Sequence, residues 1–233
     1  MLYFKKFKRN SIIKLCLLIP KTFLWLQIKR VKNKKIFKCI LLIKTLKKFF
    51  VPDRQLFKLD FNSRVYNVIS ISPSGNFLAA IKVLCVCIYG VNPVNSGCFQ
   101  KEILKLKGHT NIITCITFSP SGDYLATGSY DNSALIYCIN PLNKEKYGCV
   151  ILHIKEKVSV TAICFSAFGN FLAIGNLNYE SVIYSIDSHN KNFGKVLLRL
   201  KDHKDEIYSI CFNSNGYYAS SSWDETSIIF YRL

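Results

Sequence analysis

The chain has 233 residues, a formal net charge of +18 and an apolar content of 50%, which excludes a wholly disordered chain. Residues 1–50 hold 15 of the 32 Lys and Arg and no Asp or Glu, whereas residues 51–233 carry a net charge of only +3. The basic charge therefore belongs mainly to the first segment, and it does not indicate that the remainder is a nucleic-acid-binding domain.

Residues 1–50 form a basic, acid-free leader. Its longest uncharged runs, residues 15–20 and 22–28, are too short to span a bilayer. The leader also lacks the small-residue cleavage site of a signal peptide and the Arg and Ser content of a transit peptide. We expect a disordered or helical, non-globular segment. Within it, residues 36–50 have the apolar spacing of a basic amphipathic helix that could lie on anionic lipid.

Three interpretations of the leader stay open from the sequence. It could be a poorly structured leader or translated AT-rich sequence that is not a real exon, a targeting segment, or a surface that binds anionic membrane or RNA through its lysines. In the last case it would make the protein a peripheral adaptor, and nucleic acid or membrane would be bound through residues 1–50 alone.

Residues 51–233 contain a repeat of 47 residues. Gly75, Gly122, Gly169 and Gly216 are spaced at this interval, and similar text surrounds each of them: SISPSGNFLAA, TFSPSGDYLAT, CFSAFGNFLAI and CFNSNGYYASS. The interval divides the domain into four units, approximately residues 59–102, 103–150, 151–196 and 197–233. A repeat of this length indicates stacked supersecondary units.

Each unit predicts β-strands. In the second unit we expect strands over residues 112–118, 124–127, 134–138 and 149–154, the first two joined by a turn in which Gly122 adopts positive φ. The first strand is apolar on both faces, so the sheet must be covered on both sides. Four strands per repeat, sandwiched in this way, are typical of radially packed blades and predict an all-β propeller domain.

These residues resemble the WD-repeat β-propellers. The second unit carries the resemblance best, with Gly108-His109, then SPSG, then LATGS, then Asp131 and Tyr137. The fourth unit has His203, Asp224 and Phe230 at the corresponding positions. The third has Glu156 in place of the His and Asn178 in place of the Asp, with Tyr184 as its aromatic residue, and the first unit is the most eroded.

The Ser/Thr, His and Asp residues of these units could be mistaken for a hydrolase triad. In WD repeats such residues form a buried hydrogen-bonded network that links a loop, a strand and a turn, and a catalytic site is rarely duplicated at a repeat period. We therefore expect a structural network, shorter in the fourth unit because Phe230 cannot donate a hydrogen bond. Its predicted members are His109, Thr127, Asp131, Tyr137, His203, Ser220 and Asp224.

The ten cysteines and four histidines have no metal-ligand spacing, and no phosphate-binding Gly-rich loop is present. We therefore predict no catalytic residues, no metal, no cofactor, no small-molecule substrate and no enzyme activity. Cys115, Cys164 and Cys211 fall on predicted core strands, where a free thiol behaves as a small apolar group. So many free thiols indicate a reducing compartment, hence a cytoplasmic location with the nucleus as an alternative.

Propeller loops typically bind other proteins in multi-protein complexes, and a partner-binding face can be predicted from the repeat. Two large aromatic side chains precede the turn Asp of the second and fourth units, and aromatic residues in exposed turns are common binding hot spots. Polar residues of the loops that enter the first strands should rim the same face. The predicted partner-binding residues are Arg64, Asn111, Tyr130, Asp205 and Trp223.

The long repeat, with fourth strands entered by Gly-Cys at Gly97 and Gly148, resembles the WD-repeat scaffold of cytosolic iron–sulfur protein assembly. That resemblance implies docking of client proteins without cluster binding, although Tyr130 stands where that group tends to have Arg. Four repeats are fewer than the family's usual seven. A longer parent chain, a strand from residues 54–59, or another chain could therefore complete the ring.

Overall fold

In a computed structural model, the described residues are 12–19, 22–29, 68–92, 97–188 and 190–230. They form strands and turns without a helix, so this part of the chain holds no helix long and apolar enough to cross a membrane. The chain divides into two compact units, Met1–Lys58 and Leu59–Leu233. The predictions for residues 36–50 and 54–59 and for Arg64 lie outside the described residues.

In the first unit, the described residues form a β-ribbon. Strands β1 (Ile12–Ile19) and β2 (Thr22–Lys29) pair antiparallel in continuous register from Ile12 with Lys29 to Ile19 with Thr22. This differs from the disordered or helical leader expected from composition. The two segments, IIKLCLLI and TFLWLQIK, are rich in β-branched and aromatic residues, which favour an extended backbone.

The second unit contains the remaining fifteen strands of the described residues. We name its four sheets blades 1 to 4. Blade 1 comprises β3 (Ile69–Ile71), β4 (Phe77–Lys82), β5 (Cys85–Gly90) and β6 (Glu102–Lys107); blade 2 comprises β7 (Ile113–Phe118), β8 (Tyr124–Ser129), β9 (Ser133–Cys138) and β10 (Val150–Lys155). Blade 3 comprises β11 (Val160–Phe165), β12 (Phe171–Asn176), β13 (Ser181–Ser185) and β14 (Val196–Leu200); blade 4 comprises β15 (Ile207–Phe212), β16 (Tyr218–Ser222) and β17 (Ser227–Phe230).

Within each blade, strands that are consecutive in the chain are neighbours in the sheet and run antiparallel. Blades 1 to 3 have four strands and blade 4 has three among the described residues. The predicted all-β architecture, a propeller of about four blades, is therefore confirmed. The predicted turn geometry is also confirmed, since Gly75, Gly122, Gly169 and Gly216 have φ between 71° and 86°.

Most of the core lies between successive blades, so the expectation that both faces of a sheet are covered holds where a blade has two neighbours. One apolar cluster joins blades 1 and 2 around Val86, Ile113 and Tyr137. A second joins blades 2 and 3 around Ile136 and Val160, and a third joins blades 3 and 4 around Ile183, Ile207 and Tyr218. Burying both faces supplies most of the stabilisation of such sheets.

A bulge at the start of the first strand links blade 2 to blade 3 and blade 3 to blade 4. The register of β7 shifts at Thr114, that of β11 at Thr161 and that of β15 at Tyr208. The Thr114 hydroxyl donates across the blade boundary to the carbonyl oxygen of Val160 at 2.6 Å. Thr161 donates in the same way to the carbonyl oxygen of Ile207. The bulge therefore turns a hydroxyl towards the following blade.

Close approach between blades 2, 3 and 4 also depends on glycine. A Cβ atom added to Gly128 would lie 2.3 Å from the Val160 side chain, and one added to Gly175 would lie 2.7 Å from that of Ile207. The first blade has Ile81 at this position, and that side chain packs into the cluster shared with blade 2.

The outward face of blade 4 is exposed. Ile229 is 74% exposed and Cys211 is also exposed, because no following blade packs on them among the described residues. The expectation that Cys211 is a core thiol is therefore wrong, although its equivalent Cys164, and Cys115 at another position of blade 2, are half-buried between blades.

Candidate functional site

The polar network of blade 2 surrounds His109, whose side chain is fully buried. Its Nδ1 lies 2.8 Å from Asp131 Oδ2 and its Nε2 lies 2.8 Å from Thr127 Oγ1. Asp131 also accepts hydrogen bonds from the backbone N–H of Thr110 at 2.9 Å and from the Ser133 hydroxyl at 2.6 Å. The network therefore joins the loop before β7, strand β8 and the turn between β8 and β9.

The direction of proton donation follows from the partners. Burial lowers the pKa of His109 against the opposing effect of Asp131, so the imidazole is neutral near neutral pH. An ionised carboxylate only accepts, so Nδ1 carries the proton and donates to Asp131. Nε2 then accepts from the Thr127 hydroxyl, which in turn is hydrogen-bonded by Tyr137.

The carboxylate of Asp131 is held ionised. Burial by itself would raise its pKa, but hydrogen bonds from the Ser133 hydroxyl, the Thr110 N–H and the His109 ring lower it below the ordinary value. This chain of donors resembles the activated hydroxyl of a hydrolase, but Thr127 is 0% exposed. A hydroxyl without solvent access has no route to a substrate, so the arrangement suits the support of loops better than catalysis.

The network of blade 4 has the same centre. His203 Nδ1 lies 3.0 Å from Asp224 Oδ2, and its Nε2 lies 2.9 Å from Ser220 Oγ. Hydrogen bonds from the Thr226 hydroxyl and the Lys204 N–H lower the pKa of Asp224 well below its ordinary value. The pattern of blade 2 is therefore repeated, with Thr226 in the place of Ser133.

In blade 4 the aromatic position is held by Phe230, which donates no hydrogen bond. The buried hydroxyl of Tyr218, on β16, hydrogen-bonds with Ser220. The same hydroxyl donates to Ser181 Oγ of blade 3 at 2.6 Å. Because its single hydroxyl proton goes to Ser181, Tyr218 does not replace the donor that Phe230 lacks, but it extends the polar contacts of blade 4 into the preceding blade.

Blade 3 replaces the histidine network with ion pairs. Glu156, at the position of His109, accepts a hydrogen bond from the Tyr184 hydroxyl and lies 3.5 Å from the Arg199 guanidinium. Arg199 also donates to Glu180 at 3.2 Å, and Lys201 lies 2.5 Å from the other oxygen of Glu180. The repeat pattern predicted Glu156, Asn178 and Tyr184 as substitutions, but it did not indicate Glu180, Arg199 or Lys201.

The electrostatics of blade 3 follow from these contacts. The ammonium of Lys201 lowers the pKa of Glu180 against the effect of burial. Burial and the adjoining Glu156 carboxylate raise the pKa of the Tyr184 hydroxyl, so that it remains a donor. The side chains of both glutamates are at most 9% exposed, whereas those of Arg199 and Lys201 reach solvent. The cations therefore cover two inward-facing carboxylates.

The predicted partner-binding residues of blade 2 lie on adjacent segments. Asn111, in the loop before β7, is exposed. Its carbonyl oxygen accepts from the Ser129 hydroxyl at 3.1 Å, directly before Tyr130. Tyr130 is only half-buried, and its carbonyl oxygen accepts from the Ser159 hydroxyl of the next blade. The loop and the turn therefore form one continuous surface.

The corresponding residues of blade 4 are brought together in the same way. Asp205 is exposed, and its carbonyl oxygen accepts from the Ser222 hydroxyl at 2.8 Å. Trp223 follows Ser222 and is 67% exposed. Its ring centroid lies 5.7 Å from that of Tyr208, a contact that the repeat pattern did not predict. No sequence pattern indicated it, because the bulge that brings Tyr208 beside Trp223 is a feature of the folded sheet.

No metal site is indicated in the part of the chain that the structure describes, since no group of three or more His, Cys, Asp or Glu side chains is arranged to hold an ion there. The eight cysteines described there, from Cys85 to Cys211, are free thiols.

Comparison with known proteins identifies two of the four units. Residues 100–138 and 194–230 match the family model described as WD domain, G-beta repeat. These segments contain the His, Ser or Thr, and Asp residues that form the polar networks of blades 2 and 4. No curated protein matches the chain. The two matches support a WD-repeat family, as the motifs of the sequence indicate.

Proposed function

We propose that this protein is a non-catalytic scaffold that binds other proteins through the loop face of its propeller, in a multi-protein complex. WD repeats suggest this role in general. The observation that supports it here is the coupling of each buried network to an exposed surface. In blade 2, Asp131 holds the loop that presents Asn111 and the turn that presents Tyr130. In blade 4, Asp224 does the same for Asp205 and Trp223.

Rigid support of this kind lowers the entropy that a binding loop loses when a partner docks. Because Asp131 and Asp224 accept from the backbone of the preceding loop, the loop conformation is already ordered in the free protein. Exposed aromatic side chains such as Trp223 are frequent anchors of interfaces. Arg64 remains a proposed member of the same face.

The test is recovery of partners by affinity purification with the variants Tyr130→Ala and Trp223→Ala. We expect both to lose the same partner proteins. The matched control is Phe168→Ala, because Phe168 is 82% exposed on the turn between β11 and β12, at the opposite end of the strands. Unchanged partner recovery with both loop-face variants would refute the proposed face.

We retain two narrower proposals from the sequence. The first is a role in cytosolic iron–sulfur protein assembly, supported by the resemblance of the long repeats and tested by whether cytosolic iron–sulfur enzymes lose activity when the protein is depleted. The second is a cytoplasmic location, or a cytoplasmic and nuclear one, supported by the free thiols and tested by fractionation.

A second function would use residues 1–50 to attach the protein to anionic membrane or RNA. The supporting observation is the charge of this segment, +15 without a single acid. Such binding should weaken steeply with salt and should disappear when residues 1–50 are deleted. Salt-dependent binding to anionic vesicles or RNA that survives the deletion would refute this mechanism.

A further inference from the structure

We propose that the groove between Tyr208 and Trp223 on blade 4 binds the cationic side chain of a lysine or arginine from a partner protein. This inference rests on the proposed scaffold function and deepens it, because it names the chemistry of the partner. The groove, defined by Tyr208, Ser222, Trp223 and Glu225, has a volume of about 440 Å³.

The two aromatic rings form the walls of the groove. Their centroids are 5.7 Å apart and their planes are inclined by 58°. Both side chains are largely in solvent, Tyr208 at 53% and Trp223 at 67% exposure. Accessible aromatic rings attract cations, and indole is the strongest such partner among protein side chains.

Blades 2 and 3 contact the following blade through two features that the groove of blade 4 lacks. In those blades the bulge residue is a threonine that donates to the following blade, and a glycine makes room for it. In blade 4 the bulge residue is Tyr208 and the glycine position holds Ser221. The bulge therefore presents an aromatic ring where its equivalents present an inter-blade hydrogen bond.

The charge around the groove favours a cation. Among the described residues, the one charged side chain that lines the groove is that of Glu225. The adjoining loop contributes Asp205 and Glu206. The carbonyl oxygen of Glu206 accepts a hydrogen bond from the backbone N–H of Trp223 at 3.0 Å. With Lys204 and Asp224 included, residues 204–206 and 223–225 have a net charge of −3. An anionic ligand such as a nucleic-acid phosphate would be repelled.

The corresponding segments of blade 2 are much less acidic. Residues 110–112 and 130–132 contain a single charged side chain, that of Asp131, which the buried network uses. The position equivalent to Glu225 is held by Asn132, and both residues have a left-handed backbone, with φ of 66° and 64°. Asparagine tolerates this conformation better than glutamate, so the carboxylate of blade 4 stands at a backbone position that does not favour it.

A direct test uses the fluorescence of Trp223. The chain has two tryptophans, so the full-length Trp25→Phe variant reports on Trp223 alone. The probes are the peptides acetyl-Ser-Gly-Arg-Gly-Ser-amide and its lysine counterpart, titrated to about 10 mM, the range expected of a single side-chain contact. We expect both to change the emission saturably, while the peptide with uncharged citrulline in place of arginine does not.

Two variants assign the effect to the groove. Glu225→Gln should weaken peptide binding by up to about fivefold, as expected for an exposed ion pair. Tyr208→Leu, which keeps the bulk but removes the aromatic face, should weaken it similarly. Glu145→Gln, at an exposed site in the loop between β9 and β10, is the control and should bind normally.

Equal titrations with the arginine and citrulline peptides, an unchanged affinity in Glu225→Gln, or no saturable signal would each overturn the proposal. The result is separable from the scaffold test. If partner recovery depends on Trp223 but the peptides do not bind, the scaffold function stands and the cation site fails. If the peptides bind but partner recovery is unaffected by both loop-face variants, the cation site stands and the proposed face fails.

Discussion

Blades 2 and 3 have the same arrangement of four strands but stabilise their loop ends with different chemistry. In blade 2 a neutral imidazole connects Thr127 to Asp131. In blade 3 the same space holds Glu156, and Arg199 from the fourth strand joins it to Glu180. The first network joins the loop, the second strand and the turn, whereas the second depends on the fourth strand. A repeat fold can therefore keep its geometry while the chemistry of its polar cluster changes.

The difference has consequences for which residue each blade depends on. Asp131 accepts hydrogen bonds from three residues, so it is the centre of its network. The corresponding Asn178 is exposed, and the central groups of blade 3 are instead the two glutamates and Arg199. Position in the repeat therefore does not by itself identify the residue that matters.

The largest expected effect separates these two positions. Asp131→Ala should lower the free energy of unfolding by about 3 kcal/mol, because it leaves the buried His109 and two backbone N–H groups without their acceptor. Asn178→Ala should change it by less than about 0.5 kcal/mol, as for other exposed positions. Urea denaturation followed by circular dichroism measures both. Similar losses in the two variants would show that the turn position matters equally in each blade.

A smaller effect is expected from acid. The pKa of His109 is lower in the folded protein than its ordinary 6.5, so the unfolded chain takes up a proton first as the pH falls. The stabilisation from the neutral ring is complete above pH 6.5 and is lost as the pH falls from 6.5 towards the folded pKa. The urea midpoint should therefore fall between pH 7.5 and 5.5. His109→Gln should show a smaller fall, and an identical fall in both proteins would contradict this assignment.

The smallest effect concerns the ion pairs of blade 3. Lys201 is 70% exposed, so its contact with Glu180 should contribute at most about 0.5 kcal/mol at low salt. Lys201→Met should show this loss at about 0.05 M NaCl but not at about 1 M, where surface charges are screened. Lys157→Met, at an exposed lysine after β10, is the control. A loss that persists at high salt would indicate that the pair is not screened.

Much of the fold followed from patterns that are local in the chain. The interval between the turn glycines indicated four units, and their positive φ follows from the turn type itself. His109 and His203 were predicted together with their partners because the same residue types recur at the same interval. The prediction for the leader differed from the structure, because composition does not distinguish a β-ribbon from a helix when the apolar residues are themselves strand formers.

The contacts that the sequence did not predict depend on residues that are distant in the chain. Tyr218 lies on blade 4, whereas its partner Ser181 lies on blade 3. In blade 3, Arg199 lies on the fourth strand and its partner Glu156 lies in the loop before the first strand. Neither pair has a recurring counterpart in the other units, so no sequence pattern pointed to them. Tyr208 likewise contacts Trp223 only because a bulge turns it out of the sheet.

By itself, the sequence determined the repeat, the strands, the turns and the residue types available for each network, since these depend on local propensity and spacing. The tertiary structure decided which donors and acceptors meet, because that depends on cross-strand register and on the distance between blades. It also decided that Tyr208, Trp223 and Glu225 share one groove. Three side chains from a bulge and a turn become a site only when the sheet brings the two segments together.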